Sequence, residues 1–409
     1  MAQSAAVIGL SAVGPQDEYI IDPKKTNKPE IQQHTHFTKF TRTTYPAVTK
    51  FIGQTVDFVL NPKQMGDMLL SATLAVTLPA LPSRTNLTSI WTPMIGRALI
   101  EHIEFRIGNT VVEKIDDYWY TIRDQLFLDA DKKRVTYKLL NGGQNELTSA
   151  SSLIPQNIMI PLHLFFENSP LPVCALKENI SIKIFFRPQS WFTNYTDPIE
   201  LSSLTLITEE SIVTQEERLY YYSNPQRFVI QKVMNNPVLP YNNGIVSQNL
   251  SADFAVTMMC WFVVPQTTTV ATRYRFGYTQ SSYTNSLAFS YCGINLQYVD
   301  QLLKSQIYIN NRDITGLFGT GPFYRFKQPM DHGLTVPIND LYVYCFGNSP
   351  KQLNQGGYMD FSKLEAQTTK INLNFNPAVI SNINTPFNFY LYYYGYQVLS
   401  ISNGYVSLS

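Results

Sequence analysis

The side chains able to do chemistry are few and scattered. The five histidines are His34, His36, His102, His163 and His332. His34 and His36 flank Thr35, so on an extended segment both rings point the same way and a metal pair is conceivable. Neither stands beside a carboxylate or a cysteine, and a solvated or packed segment is the preferred reading. Asp116-Asp117 and Glu209-Glu210 are adjacent carboxylates. Neighbours on a strand face opposite ways, and on a helix they diverge by about 100°. Neither pair by itself makes an acid/base couple, although carboxylates far apart in sequence can meet in a fold. Cys174, Cys260, Cys292 and Cys345 lack the paired spacing of zinc or thioredoxin chemistry. Apolar and aromatic neighbours suit them to be buried, inert thiols in a reducing compartment. No HExxH, Gly-x-Ser-x-Gly, P-loop or dinucleotide fingerprint occurs. The expectation is no catalytic residue, no cofactor and no metal.

Four sequons stand at Asn86, Asn179, Asn194 and Asn249. In an Asn- and Thr-rich chain chance is the preferred explanation, and a cytoplasmic protein would not meet the usual glycosylation machinery.

The elements that must carry these residues are mostly strands. Ile103, Phe105 and Ile107 alternate with polar residues, as do Ile180, Ile182 and Ile184, and Ile371, Leu373 and Phe375. Period-two alternation describes strands with one wet and one buried face, the habit of antiparallel sheets. Gly108-Asn109 leads straight into Thr110 to Ile115 and predicts a hairpin. Helical spacing appears over Asp116 to Leu128, with Trp119, Ile122 and Leu126 on one side, and a turn or two is expected over Thr214 to Tyr222. The break near Asn224-Pro225 divides the chain into an arm (1–45) and two parts, 46–224 and 225–409. Ile103 to Lys114 and Ser305 to Ile314 have a weakly similar strand, Asn-containing turn and second short segment. Two tandem sandwiches fit 409 residues better than one.

Composition narrows the function classes. Charged residues are 15% of the chain, against roughly 25% in an average soluble protein, while Tyr (26) and Phe (24) together outnumber Asp plus Glu (30). A surface poor in ions and rich in amphipathic rings suits interfaces, with most of the rings still expected in cores. A net charge of +1 offers no electrostatic footprint for nucleic acid. No apolar run reaches the length of a membrane span. Ala5 to Val13 is apolar but lacks a basic region before it and a small-residue cleavage site, and is read as a peripheral arm rather than a signal peptide. Folding in the cytoplasm is the expectation.

Eight segments in order resemble the major capsid proteins of nucleocytoplasmic large DNA viruses. Gly14-Pro15-Gln16-Asp17-Glu18-Tyr19-Ile20 is similar to the family's G-A-Q-D-x-Y-L arm. Phe37 to Tyr45, with Arg42, resembles F-x-x-x-Y-R-R-H-T-N-F. Gly66-Asp67-Met68 through Val76-Thr77-Leu78-Pro79 resembles G-D-L…V-T-L-P, and Ala98 to Gly108 followed by Asp117-Tyr118-Trp119 resembles A-L-I-x-x-V-E-x-x-I-G and G-D-W. Pro161 to Phe166 with Pro170-Leu171-Pro172 is a further match. Thr214-Gln215-Glu216-Glu217-Arg218 with Phe228 to Gln231 resembles L-D-T-x-E-R-R…Y-L-I-E-Q. Leu341 to Phe346 with Gly356 to Leu364, and Tyr396 to Ser409, complete the series. Pro, Gln and Ser stand where the family has Ala, Asp and Arg, which marks a divergent member.

The resemblance implies an all-β chain of two tandem eight-stranded antiparallel jelly-roll sandwiches, with short helices in loops and an extended N-terminal arm. It implies homotrimers that act as pseudo-hexameric capsomers of an icosahedral virion shell, made in the host cytoplasm. Further implied partners are minor capsid and penton proteins, an internal membrane near the arm and a host receptor, with no direct nucleic acid. Gly14, Gln16, Asp17, Tyr19, Phe37 and Arg42 become assembly-arm candidates, and Glu216, Glu217 and Arg218 candidates for the link between lobes. Two other classes remain open: a carbohydrate-binding β-sandwich, such as a viral fibre or lectin-like module, and a β-sandwich glycoside hydrolase with carboxylates drawn from separate strands.

Overall fold

A computed structural model describes residues 38–46, 52–81, 89–92, 94–143, 151–241, 245–266, 302–337, 340–352, 357–365, 367–375 and 387–409. The alternating segments all form strands. In the first half these are β1 (Thr38–Thr44), β2 (Thr55–Leu60), β3 (Met68–Leu78), β4 (Ile100–Ile107), β5 (Thr110–Asp116), β6 (Gln156–Pro161), the two-residue β7 (Leu171–Pro172), β8 (Ile180–Phe186) and β9 (Ser203–Ile212). The order β1-β9-β3-β6, with β7 on β3, makes one sheet, and β2-β8-β4-β5 the facing one.

The strand pattern restarts at Gln226. Its members are β10 (Gln226–Asn235), β11 (Leu239–Tyr241), β12 (Ile245–Asn249), β13 (Ala255–Pro265), β14 (Leu302–Ile309), β15 (Arg312–Asp313), β16 (Tyr342–Cys345), β17 (Met359–Asp360), β18 (Lys370–Phe375), β19 (Phe387–Ser402) and β20 (Tyr405–Leu408). The order β10-β19-β13-β16 makes one sheet, with short β11, β17 and β20 attached, and β12-β18-β14-β15 the other. Lettered B to I in chain order, omitting the short additions, both halves read B-I-D-G against C-H-E-F. That is the jelly-roll order, twice over. The paired segments Ile103 to Lys114 and Ser305 to Ile314 are the E–F hairpins of the two lobes. In the first, the chain turns at Gly108 with φ +57, where a Cβ would also strike the Glu178 carboxylate at 2.5 Å. Glycine is needed there on both counts.

Among the described residues five short α-helices sit in the connections: α1 (Ile95–Ala98), α2 (Asp117–Leu126), α3 (Ala130–Leu140), α4 (Gln215–Ser223) and α5 (Gln328–Asp331). Helix α2 begins where expected because the Asp116 carboxylate accepts the Trp119 N–H at 2.7 Å, an N-cap. Helix α4 begins at Thr214, whose hydroxyl accepts the Glu217 N–H. The two halves of the arm reading separate here. Residues 1–37 lie outside the described residues, whereas Thr38–Thr44 are β1, hydrogen-bonded along its length to β9. Arg42 therefore belongs to a sheet edge rather than to a free arm.

Each lobe has a core between its sheets. Ile103, Phe105, Ile180, Ile182 and Leu74 lie in the first, and Trp261, Ile371, Leu373 and Tyr393 in the second. The first core does not stop at its own sheets. It runs on through Met258, Cys260, Phe262, Tyr392 and Tyr394 of the second lobe.

Candidate functional site

The feature that sets this molecule apart is the seam between its lobes, built from strands that are apolar on both faces. Along β13, Met259, Trp261 and Val263 point into the second lobe's core, while Met258, Cys260, Phe262 and Val264 point to the first lobe. On β19, Phe389, Leu391 and Tyr393 face inward and Tyr392 and Tyr394 face the seam. Strands covered twice read as near-continuous apolar runs, which accounts for Met258-Met259-Cys260-Trp261-Phe262-Val263-Val264. Helix α2 of the first lobe supplies the other wall. Tyr118 lies 4.9 Å from Tyr390 and 5.6 Å from Phe262, ring centre to ring centre. Trp119 stacks on Tyr394 at 5.2 Å and 17°, with Phe127 at 5.1 Å from the same tyrosine. Offset and tilted ring pairs of this kind add about 0.5–1.5 kcal/mol each beyond area burial.

Polar groups pin the seam at defined points. Asp116 accepts the Tyr392 hydroxyl at 2.7 Å while it caps α2, and burial raises its pKa. Glu113 on β5 accepts the Phe165 N–H at 2.9 Å and the Gln231 side-chain amide at 2.5 Å. That amide also donates to the His163 carbonyl at 3.1 Å. Complete burial pushes the Glu113 carboxyl up to about 8, against the pull of its two donors. Burial, and then the Arg123 charge, push the His163 imidazole down, against its partner Glu167 at 2.9 Å. Gln397 donates to the Val112 carbonyl, and the Thr335 N–H and hydroxyl reach Leu126 and Leu128.

The other prominent ions are committed to neighbours as well. Arg97 on α1 grips Asp124 through two nitrogens at 2.9 and 3.2 Å, with both side chains buried. Arg187 does the same to Asp117 at 3.0–3.2 Å. The adjacent carboxylates of the sequence thus part company: Asp116 serves the seam and Asp117 a pair inside the first lobe. Glu209 pairs with Lys39 across the outer face, whereas Glu210 is buried and takes Arg42, the Gly66 N–H and the Thr208 hydroxyl. Such a constellation holds surfaces together; its raised carboxyls, Glu113 and Asp116, are buried where the lobes meet. Among the described residues no group of three or more His, Cys, Asp or Glu stands close enough to hold a metal ion, and no helix is long and apolar enough to cross a membrane.

The positions singled out from sequence fall in several places. Gly14, Gln16, Asp17, Tyr19, Phe37 and the sequon at Asn86 lie outside the described residues, as do His34, His36 and Cys292. Arg42 reaches Glu210 at 2.9 Å from β1, so its placement in an arm is corrected: a buried carboxylate on β9 draws it into the sheet. In the link, Arg218 bonds Asp67 at 2.8 Å and ties α4 to the first lobe, Glu217 lies in the first turn and Glu216 is exposed. Asn179, Asn194 and Asn249 are exposed, and the Asn194 carboxamide accepts the Ile90 N–H at 2.8 Å. Cys260 and Cys345 are buried, and burial pushes the Cys174 thiol up to about 11. Sequence reasoning did not find the seam set of Glu113, Gln231, Tyr392 and Tyr394. The available signal was the unbroken run of large aromatic and aliphatic side chains at Phe389 to Tyr394, too apolar for a strand with one wet face.

Large apolar side chains also remain exposed outside the seam. Leu219, Tyr220 and Tyr222 stand out from α4. Leu317 (86% exposed), Phe318 (77%) and Met330 (67%) stand out from the second lobe's F–G connection. Exposed groups of this size mark contact surfaces when they cluster.

Comparison with known proteins adds an independent line. A family profile described as major capsid protein N-terminus matches residues 27–221, and one described as large eukaryotic DNA virus major capsid protein matches residues 217–407. The Major capsid protein of Paramecium bursaria Chlorella virus 1 is 21% identical over 405 residues, covering 88% of this chain and 86% of that protein. Capsid protein 1 of Acanthamoeba polyphaga mimivirus is 24% identical over 264 residues, covering 56% of this chain, and the match spans only 43% of the relative's length. Among solved structures, PBCV-1 VP54 superposes with a TM-score of 0.73 at 17% identity, covering 92% of this chain and 97% of that one. The Faustovirus major capsid protein superposes at 0.72 with 12% identity, covering 98% and 97%.

Proposed function

Because the chain belongs to the major capsid proteins of large eukaryotic DNA viruses, we propose that it acts by assembly alone. Three copies join into a capsomer of six lobes, and these pseudo-hexagonal units tile an icosahedral shell. The observation that carries the reading is the twice-covered B-I-D-G sheet of the second lobe. It fuses two jelly rolls into one rigid block, so that a single gene product presents two similar lobes at a set angle. Closed rotational symmetry then fixes the self-contacts. Trimer contacts of this kind bury upward of roughly 2,000 Å² and are apolar, as in obligate oligomers. Contacts between capsomers are smaller and more polar, which lets errors in the lattice reverse.

The lobes divide as 38–224, counted from β1, and 225–409. Residues 1–37 serve the base of the capsomer, where minor capsid proteins, penton proteins and an internal membrane are the neighbours. The chain is made in the host cytoplasm and becomes part of the virion. It performs no catalysis, and its buried carboxyls hold the seam.

Size-exclusion chromatography with light scattering on the full chain tests the central step. The expected result is a trimer; a monomer at all concentrations would overturn it. Removing residues 1–20 is expected to leave soluble trimers and to impair shell formation. Loss of the trimer itself would move the arm from the base to the trimer contact.

A further inference from the structure

The two lobes share one strand order but differ in what covers equivalent surfaces. In the first lobe the F strand β5 leads directly into a helical turn bearing two adjacent rings, Tyr118 and Trp119. They are 6% and 0% exposed, because they pack on the outer B-I-D-G face of the second lobe. In the second lobe the F strand β15 leads into the 3-10 turn Gly316–Phe318. It too carries two adjacent large apolar side chains, Leu317 and Phe318, at 86% and 77% exposure. The same residue classes stand at the same place in the fold, covered in one lobe and bare in the other.

The receiving face shows the reverse asymmetry. In the second lobe the cross-strand rows Val233–Tyr394–Met258–Cys345 and Tyr392–Cys260–Val343 are large and covered. The equivalent rows of the first lobe are Thr43–Ile207–Thr73–Pro161 and Thr205–Ala75–Met159. These residues lie on the side of the sheet away from the core, half-buried or exposed, and none carries a charge. The ion pair Lys39–Glu209 stands to one side, toward the start of β1. Uncharged, and built of Thr, Ala and Pro with Ile207 and Met159 among them, this face accepts a protruding apolar pair without stranding an ion.

We infer that Leu317 and Phe318 of one copy dock on the Thr73–Ala75–Thr205–Ile207 face of a second copy, repeating between chains the contact that α2 makes within one. The occupant is a second copy because the chain already carries both halves of the contact and its own lobes use only one of each. The contact is heterologous: knob and face are different surfaces, so each copy offers one of each, and a ring closes when the last knob meets the first face. This rests on the assembly reading and names the surface through which it works.

Two full-length variants test it. Phe318→Asp spoils the knob and leaves the face; Ala75→Asp spoils the face and leaves the knob. Far-UV circular dichroism and thermal unfolding near wild type establish that each is folded, and Phe318→Ser and Thr205→Arg replace any that is not. Truncating or charging a central anchor weakens such a contact by about 30-fold or more. Light scattering is expected to show a wild-type trimer, monomers for each variant alone, and a dimer for the equimolar mixture, since one good knob and one good face remain. A wild-type trimer whose variants stay trimeric, or whose mixture stays monomeric, overturns this pairing and leaves the assembly reading standing. A monomeric wild type brings down both.

Discussion

Raising the pH across the neutral range acts on a buried carboxyl at the seam, Glu113. Its carboxyl titrates at about 8 in the folded chain against an ordinary 4.5, because it is wholly buried between β5, Phe165 and Gln231. The folded state therefore holds this proton more tightly than the unfolded chain does. Its contribution is complete below pH 4.5, falls by about 1.4 kcal/mol per pH unit between roughly 4.5 and 8, and is level above that. The whole excursion is on the order of 5 kcal/mol, comparable with the stability of many domains. His163 works in the opposite sense. Its depressed folded pKa adds stability as pH rises toward 6.5, and Arg123 and Glu167 also face the cluster. Comparison with Glu113→Gln isolates the carboxyl, since the amide stays neutral throughout. Urea unfolding of dilute protein, followed by tryptophan fluorescence between about pH 5 and 9, is expected to show wild-type stability declining relative to Glu113→Gln with a slope approaching one proton. Parallel curves for the two proteins would refute the reasoning, because Glu113 would then be ionised in the fold at neutral pH.

Three further substitutions probe separate joints. Tyr392→Phe takes from Asp116 its donor across the seam and is expected to cost about 1–3 kcal/mol in the same urea assay; no loss would mean that water replaces the hydroxyl. Arg97→Met leaves the buried Asp124 carboxylate without its guanidinium. It should cost about 3–5 kcal/mol, with much of the loss recovered in the Arg97→Met/Asp124→Leu double variant. Gly395→Ala puts a Cβ within 1.9 Å of the Ala255 carbonyl oxygen where β13 bulges against β19. A loss of at least about 1–3 kcal/mol, read as a lowered thermal midpoint, is expected.

The strands of the first lobe were legible because one face is wet: Ile180, Ile182 and Ile184 are buried and their neighbours are not, so period two survives in the sequence. Helix α2 was legible for a similar reason, since its cap at Asp116 and the spacing of Trp119, Ile122 and Leu126 survive as local signals. The seam was not. Its strands are covered on both faces, which erases alternation, and its polar contacts join residues as distant as Asp116 and Tyr392. Charge told little for the same cause. Glu209 and Glu210 are identical side by side, yet one faces Lys39 on the surface and the other is buried under Arg42. Only the pleat distinguishes them. Arg42 was misplaced because its partner lies across the sheet, on a strand far along the chain.

The pairing of first strand with last has a cost in time. Among the described residues the backbone of Thr38–Thr44 pairs with β9, and that of Gln226–Asn235 with the far end of β19. At roughly 5–20 residues per second the ribosome needs on the order of ten to thirty seconds to deliver β9 after β1 has emerged. Until then β1 is a lone edge, and an infected cell making many copies at once holds a crowd of such edges. Because β9 ends before β10 begins, the first lobe can close its sheets while the second is still being made. It then stands as the surface on which the aromatic strands of the second lobe settle.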